Sequence, residues 1–103
     1  MIHVIATVET HPGKMQEFLD YFVGVLVPQV RAEVGCLDYL PAIDVPNPLP
    51  KHPEPRENVV TIVERWTSLE TLEAHRNAPH MHAYRAFVQP LVARTSIQVL
   101  QPA

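Results

Sequence analysis

The residues best equipped for chemistry fall in one stretch, in which Glu64-Arg65-Trp66 is followed by Leu72, His75, Pro79 and His80. Glu64 and Trp66 lie two apart, so on a strand they face the same side. An indole on that side can pack against a flat ligand, but its N–H needs a partner. A carboxylate in an apolar row must be paired, solvated from a pocket, or raised in pKa, and a histidine would suit as its partner. The chain has 6 histidines, and position sorts them. His75 follows Leu72 by three on one helix and sits beside an inward residue. His80 shares a stripe with Tyr84 and Phe87 at a helix N-terminus, where the dipole disfavours imidazolium. A neutral imidazole there is a base at neutral pH; spacing alone fits a structural histidine equally well. His82 aligns with Ala86 and Gln89 and is expected to face water, while His3, His11 and His52 stand alone. Phe18 and Phe22 on a helix, Tyr39 on a strand and Tyr84 are the candidate aromatic walls of a pocket, although each would serve as core without any function.

Other chemistries are missing their parts. Gly13, Gly24 and Gly35 make no phosphate-cradling loop, and neither a serine-nucleophile nor a His-Glu-x-x-His zinc motif occurs. His75, His80 and His82 make a poor metal set, because i, i+2 on a helix points two ways. Cys36 is the only cysteine, which excludes an internal disulfide and a cysteine-based metal site. What remains is an enzyme without an obvious cofactor or metal, or a small-ligand binder.

The elements that must position these residues follow from periodicity. Ile2 to Glu9 alternates and is β-branched, a strand. After Pro12-Gly13, the residues Met15, Phe18, Leu19, Phe22, Val25, Leu26 and Val30 keep the 3.6 period of a long amphipathic helix. Pro28 should kink that helix or split off a last turn, and Gly35 is placed to end it. Cys36 to Val45 reads as a second strand and Asn58 to Trp66 as a third, with Val60, Ile62, Glu64 and Trp66 on one face. Thr67-Ser68-Leu69-Glu70 has a capping-box pattern opening a helix that ends near Arg76. Pro79 opens another, carrying Met81, Tyr84, Val88 and Leu91 inward. Thr95 to Gln101 is the last strand. Between them Pro46 to Glu57 is proline-rich, which precludes helix or central strand and marks an extended loop.

The order β-α-β-β-α-α-β fits an α+β, ferredoxin-like split βαβ arrangement, a four-stranded antiparallel sheet with helices on one face. Val59, Thr61, Val63 and Ile5 make the other face too apolar for open water, so a second copy packing sheet to sheet is expected. The 103 residues suit one domain, 1–103. Charged residues are 18%, below the roughly one-quarter usual in globular domains, which also favours an oligomer. A net charge of −3 without a run of either sign argues against nucleic acid. Tyr21 to Pro28, the longest apolar stretch, is too short to span a membrane. The N-terminus lacks a signal-like pattern, so a cytoplasmic protein is expected.

The pieces Val4-Ile5-Ala6 with Pro12-Gly13, Glu33-Val34-Gly35-Cys36 with Tyr39, Glu64-Arg65-Trp66, Leu72-Glu73-Ala74-His75, Pro79-His80-Met81 and Ala83-Tyr84 together resemble the antibiotic biosynthesis monooxygenase domain family, nearest its small quinol monooxygenases. The resemblance covers nearly the whole chain. It implies a ferredoxin-like unit that dimerises through its sheets into an α+β barrel. It also implies oxygenation of a reduced aromatic or quinol without metal, flavin or haem, in a pocket between sheet and helices. Trp66, His75 and His80 match positions that the family uses or lines its pocket with, and Tyr39 and Glu64 match more loosely. The Pro46 to Glu57 loop departs from the pattern. On this resemblance it borders the pocket entrance and leaves the substrate class open. A haem-degrading branch of the fold carries an asparagine on its first strand, and none lies between Ile2 and Glu9.

The implied mechanism is economical. Triplet dioxygen reacts with a closed-shell molecule only if that molecule surrenders an electron, and a phenol or quinol does so most readily once deprotonated. The protein then needs a base, a dry pocket and an aromatic wall. The expected roles are His75 or His80 as base, Glu64 orienting the imidazole or a water, and Trp66 stacking on the substrate. An isomerase using the same base, a non-catalytic dimer binding an aromatic metabolite, and a haem binder are the competing readings.

Overall fold

The computed structural model describes all 103 residues. Its strands are β1 (Ile2–Thr10), β2 (Cys36–Ala42), β3 (Val59–Trp66) and β4 (Val92–Leu100). Its helices are α1 (Met15–Tyr21), α2 (Val27–Arg31), α3 (Leu69–Arg76) and α4 (Pro79–Val88), with a π-helical stretch, Phe22–Leu26, joining α1 to α2. The sheet order is β2-β3-β1-β4, and every neighbouring pair is antiparallel. β1 and β3 are thus central, and the two helical crossovers lead out to the edges. This is the ferredoxin-like α+β arrangement that the element order implies.

Alternation decides what each strand buries. On β1, Ile2, Val4, Ala6, Val8 and Thr10 are buried, and the residues between them are half-buried. On β3 the inward row is Val60, Ile62, Glu64 and Trp66. Against these rows the first helical crossover lays Phe18, Phe22, Leu26 and Val30, all fully buried, to make the core. The opposite face has no helix. There Leu40, Val63 and Ile5 stand in register across β2, β3 and β1, with Leu40 51% and Val63 37% exposed.

The differences from expectation have local causes. The first helix is split near Pro28, as expected, but the break is a π turn. Pro28 lacks an N–H, and its ring presses on the preceding turn, whose i−4 carbonyl belongs to Gly24. The wider π turn over Phe22–Leu26 absorbs that conflict and leaves Pro28 in the first turn of α2. β2 stops at Ala42 rather than Val45, just past Pro41, which has no N–H to extend the ladder. β4 starts at Val92, three residues before Thr95, with a register shift opposite Glu9 and Thr10. The cap of α3 is Ser68, whose Oγ accepts from the Thr71 N–H while Thr71 Oγ1 accepts from the Ser68 N–H; Thr67 and Glu70 do not form it. Residues 43–58 form the irregular loop, clasped at its base by Asp44 and Arg56 through two 2.9 Å guanidinium–carboxylate bonds. No residue of that loop lines the cavity between the sheet and the last two helices.

Candidate functional site

The site begins with a turn. Gly35 adopts φ +85°, and a Cβ there would lie 2.5 Å from the Thr71 side chain. Only glycine lets the chain after α2 come this close to the first turn of α3. The Thr67 N–H donates to the Gly35 carbonyl at 2.9 Å and holds the approach. His75 lies one turn beyond Thr71 on the same helix face. The turn that seats Gly35 on Thr71 therefore brings Glu33 against His75.

Glu33 is the hub. Its Oε2 lies 2.8 Å from His75 Nδ1 and 2.7 Å from His80 Nε2. A carboxylate only accepts, so the ring nitrogens facing it carry the protons. This sets the tautomer of a neutral His75 and leaves its Nε2 with a free lone pair. His75 is 3% exposed. Burial lowers its pKa below the ordinary histidine value, with the Glu33 carboxylate opposing and the His80 and Arg85 charges reinforcing that shift. Burial thus favours the neutral form of His75.

Glu64 does not pair with a histidine, as the sequence suggests it would. Trp66 Nε1 donates to its Oε1 at 2.9 Å, which answers both the buried indole N–H and half of the buried carboxylate. Burial pushes the Glu64 carboxyl up to about 7, the Trp66 hydrogen bond holds it down in part, and the Glu33 charge adds to the rise. Trp66 is fully buried and lies behind His75, ring centroids 4.6 Å apart. It positions the imidazole and does not line the cavity, so it cannot be the wall on which a substrate stacks.

Between the sheet and α3 and α4 lies a cavity of about 380 Å³, and 12 of its 18 lining residues are hydrophobic. Val4, Ala6, Ile62, Leu72, Met81 and Val88 supply apolar wall; Glu64, His75, Arg76 and Arg85 are among its polar lining, and the hydroxyls of Tyr39 and Tyr84 add to it. No buried polar side-chain atom lacks a partner. His75 Nε2, Glu64 Oε2 and the Tyr39 hydroxyl have no partner within the chain and are not sealed from solvent, and all three residues line this space. Burial raises both tyrosines above the ordinary phenol value, so they donate rather than ionise. Phe18 and Phe22 do not reach the cavity. Phe22 stacks behind Tyr39 at 5.5 Å and Phe18 meets the edge of Tyr84 at 6.2 Å, because both point into the core from the first crossover. His80 shares the same Glu33 oxygen with His75 and does not line the cavity.

Glu33 is the residue that motif reading passes over as a site residue. One signal was present: a carboxylate just past a helix C-terminus opposes the macrodipole and calls for a compensating donor. Glu33, His75 and His80 also offer one ligand atom each within 4.8 Å of one another, a set a divalent cation could use; the carboxylate already satisfies both rings. His82 is exposed, beside Arg85, and takes no part. Cys36 has its thiol pushed up to about 11 by burial and is no nucleophile.

The sequence matches the family model "Antibiotic biosynthesis monooxygenase" over residues 1–86. The chain belongs to the antibiotic biosynthesis monooxygenase family. This member is 38% identical to the probable quinol monooxygenase YgiN of Escherichia coli K12, over 99% of this chain and 98% of that protein. Its fold is also that of Rv0793 from Mycobacterium tuberculosis, with TM-score 0.79, 27% identity, and coverage of 99% of this chain and 94% of that one. PA3566 from Pseudomonas aeruginosa is similar, with TM-score 0.77 and 27% identity over 99% of this chain and 93% of the other. No helix of this family member is long and apolar enough to cross a membrane.

Proposed function

We propose that the chain is a monooxygenase that oxidises a quinol or related polyphenol with dioxygen, without a redox cofactor, and that His75 is the base. One observation carries this reading: a neutral imidazole, tied by Nδ1 to Glu33, opens its free nitrogen into an apolar cavity beside Glu64. Membership of the family and likeness to a probable quinol monooxygenase support it. His75 Nε2 takes a phenolic proton, and Glu64, poised near neutrality, accepts a hydrogen bond or the second proton. Tyr39 and Tyr84 flank the ring. The electron-rich anion reduces dioxygen directly. Quinol plus O2 gives a hydroxyquinone plus water: one oxygen atom replaces a ring hydrogen, the other leaves as water, and the quinol supplies all four electrons.

A second copy of the chain covers the open sheet face in this reading. The row Leu40, Val63 and Ile5 supports it, since a half-exposed apolar row on a flat sheet is a surface for another sheet.

The test is oxygen uptake with menadiol, corrected for autoxidation, together with an anaerobic arm. Enzyme-dependent uptake with formation of a hydroxyquinone is expected. Turnover undiminished under argon would refute the oxygenase and place the site among isomerases. Binding without any product would leave a metabolite-binding protein.

A further inference from the structure

Six arginines occur in the chain, and four are accounted for within it. Arg56, Arg65 and Arg94 each hold a carboxylate, and Arg31 donates to the Tyr39 carbonyl. The remaining two, Arg76 and Arg85, have no acidic partner, and both line the apolar cavity. They also line a shallower hollow that continues outward past Leu69, Glu73 and Asn77, so they stand where the inner space meets the outer. Glu73 shares that hollow but pairs with neither arginine. Arg85 is held in place: its Nη2 donates to the Arg76 main-chain carbonyl at 2.6 Å, and its Nη1 lies 3.5 Å from His82 Nδ1. That anchoring sets one guanidinium over the end of α3, next to the residue that carries the other. The Arg85 charge is felt inside, at His75 and Tyr84.

The geometry points to a ligand with an aromatic body in the cavity and a carboxylate or similar oxyanion at its mouth, held by Arg76 and Arg85. The inference deepens the quinol reading, on which it rests for the identity of the aromatic body. Two unneutralised guanidinium groups on the rim of an apolar pocket repel one another unless an anion lies near both. The planar fork of guanidinium matches a carboxylate through paired N–H donors. A neutral quinol would leave both arginines unused, whereas an acidic one would be oriented, its acid outward and its ring towards His75 and Glu64.

The test separates this claim from the chemistry by using probes with no quinol to oxidise. Calorimetry compares 2-naphthoate with 2-naphthamide, which share the ring but differ in charge. Wild-type protein should bind the naphthoate about tenfold more tightly, about 1.4 kcal/mol, and the preference should shrink with added salt. Arg76→Gln and Arg85→Gln should each reduce it while leaving naphthamide binding in place. Arg76 makes no side-chain hydrogen bond within the chain, so its replacement leaves the fold untouched even if Arg85→Gln loosens α3. Equal affinity for the two probes, failure of both to bind, or a preference surviving both substitutions would overturn the inference. Absence of oxygen uptake with menadiol would instead count against the monooxygenase and leave these binding results standing.

Discussion

Glu33 Oε2 meets His75 Nδ1 at 2.8 Å across 42 positions of sequence, and that contact fixes which nitrogen of His75 carries the proton. It consumes the proton-bearing nitrogen of His75 and leaves the other for the cavity. His80 binds the same oxygen at 2.7 Å but from outside the cavity. In the proposed mechanism Glu33 and His80 are thus positioning residues for His75.

Glu33→Gln tests that relationship. The amide oxygen can still accept from both rings, but the negative charge that supports the His75 cation is gone. The acid limb of the kcat/KM pH profile should move to lower pH, and the plateau should fall about tenfold because the base is weaker. A profile with an unmoved limb would show that Glu33 does not govern the imidazole.

Glu64 makes a prediction about stability. Its carboxyl titrates near 4.5 in the unfolded chain and is raised to about 7 in the fold. The folded state therefore holds a proton that the unfolded state has lost between those values, and stability falls as pH rises through that window. The raised pKa corresponds to about 3 kcal/mol lost above pH 7. Glu64→Gln keeps an oxygen for Trp66 and lacks the titration. Denaturant unfolding at pH 4.5 and pH 8 should show the variant gaining on wild type by that order. His75 works in the opposite sense, since its lowered pKa makes stability fall on acidification below its ordinary value. The difference between wild type and Glu64→Gln isolates the carboxyl.

Gly35→Ala should destabilise the chain by about 2–4 kcal/mol, from the left-handed backbone and the overlap with Thr71 together. Thermal unfolding measures it. A neutral outcome would mean that the turn does not seat on α3 as described.

These sites show how much the sequence discloses. Alternation along β1 and β3 and the 3.6 period from Met15 are repetitive signals, each residue confirming the next, so the fold and the inward row ending in Glu64 and Trp66 are legible. Contacts between distant elements carry no such repetition. Nothing periodic tells that Glu33 reaches His75, that Trp66 answers Glu64 rather than a ligand, or that Phe18 and Phe22 back the tyrosines instead of facing the cavity. Pro28 announces a disturbance in the helix, but its form, a π turn rather than a kink, depends on how Phe22 and Leu26 must both reach the core.

The open sheet face gives a further prediction. Leu40→Glu with Val63→Glu places two charges on neighbouring, in-register positions of that face. Sedimentation should show wild type as a dimer and the double variant as a monomer with retained secondary structure. A wild-type monomer, or a double variant still dimeric, would rule out this face as the interface.

The most direct measurement is the initial rate of oxygen consumption on menadiol by wild type, His75→Ala and His80→Ala. With His75 as the base, its replacement lowers kcat/KM by about 10²–10⁴, while loss of His80 costs about tenfold through a less well-held Glu33. Undiminished oxygen uptake in His75→Ala would contradict the account.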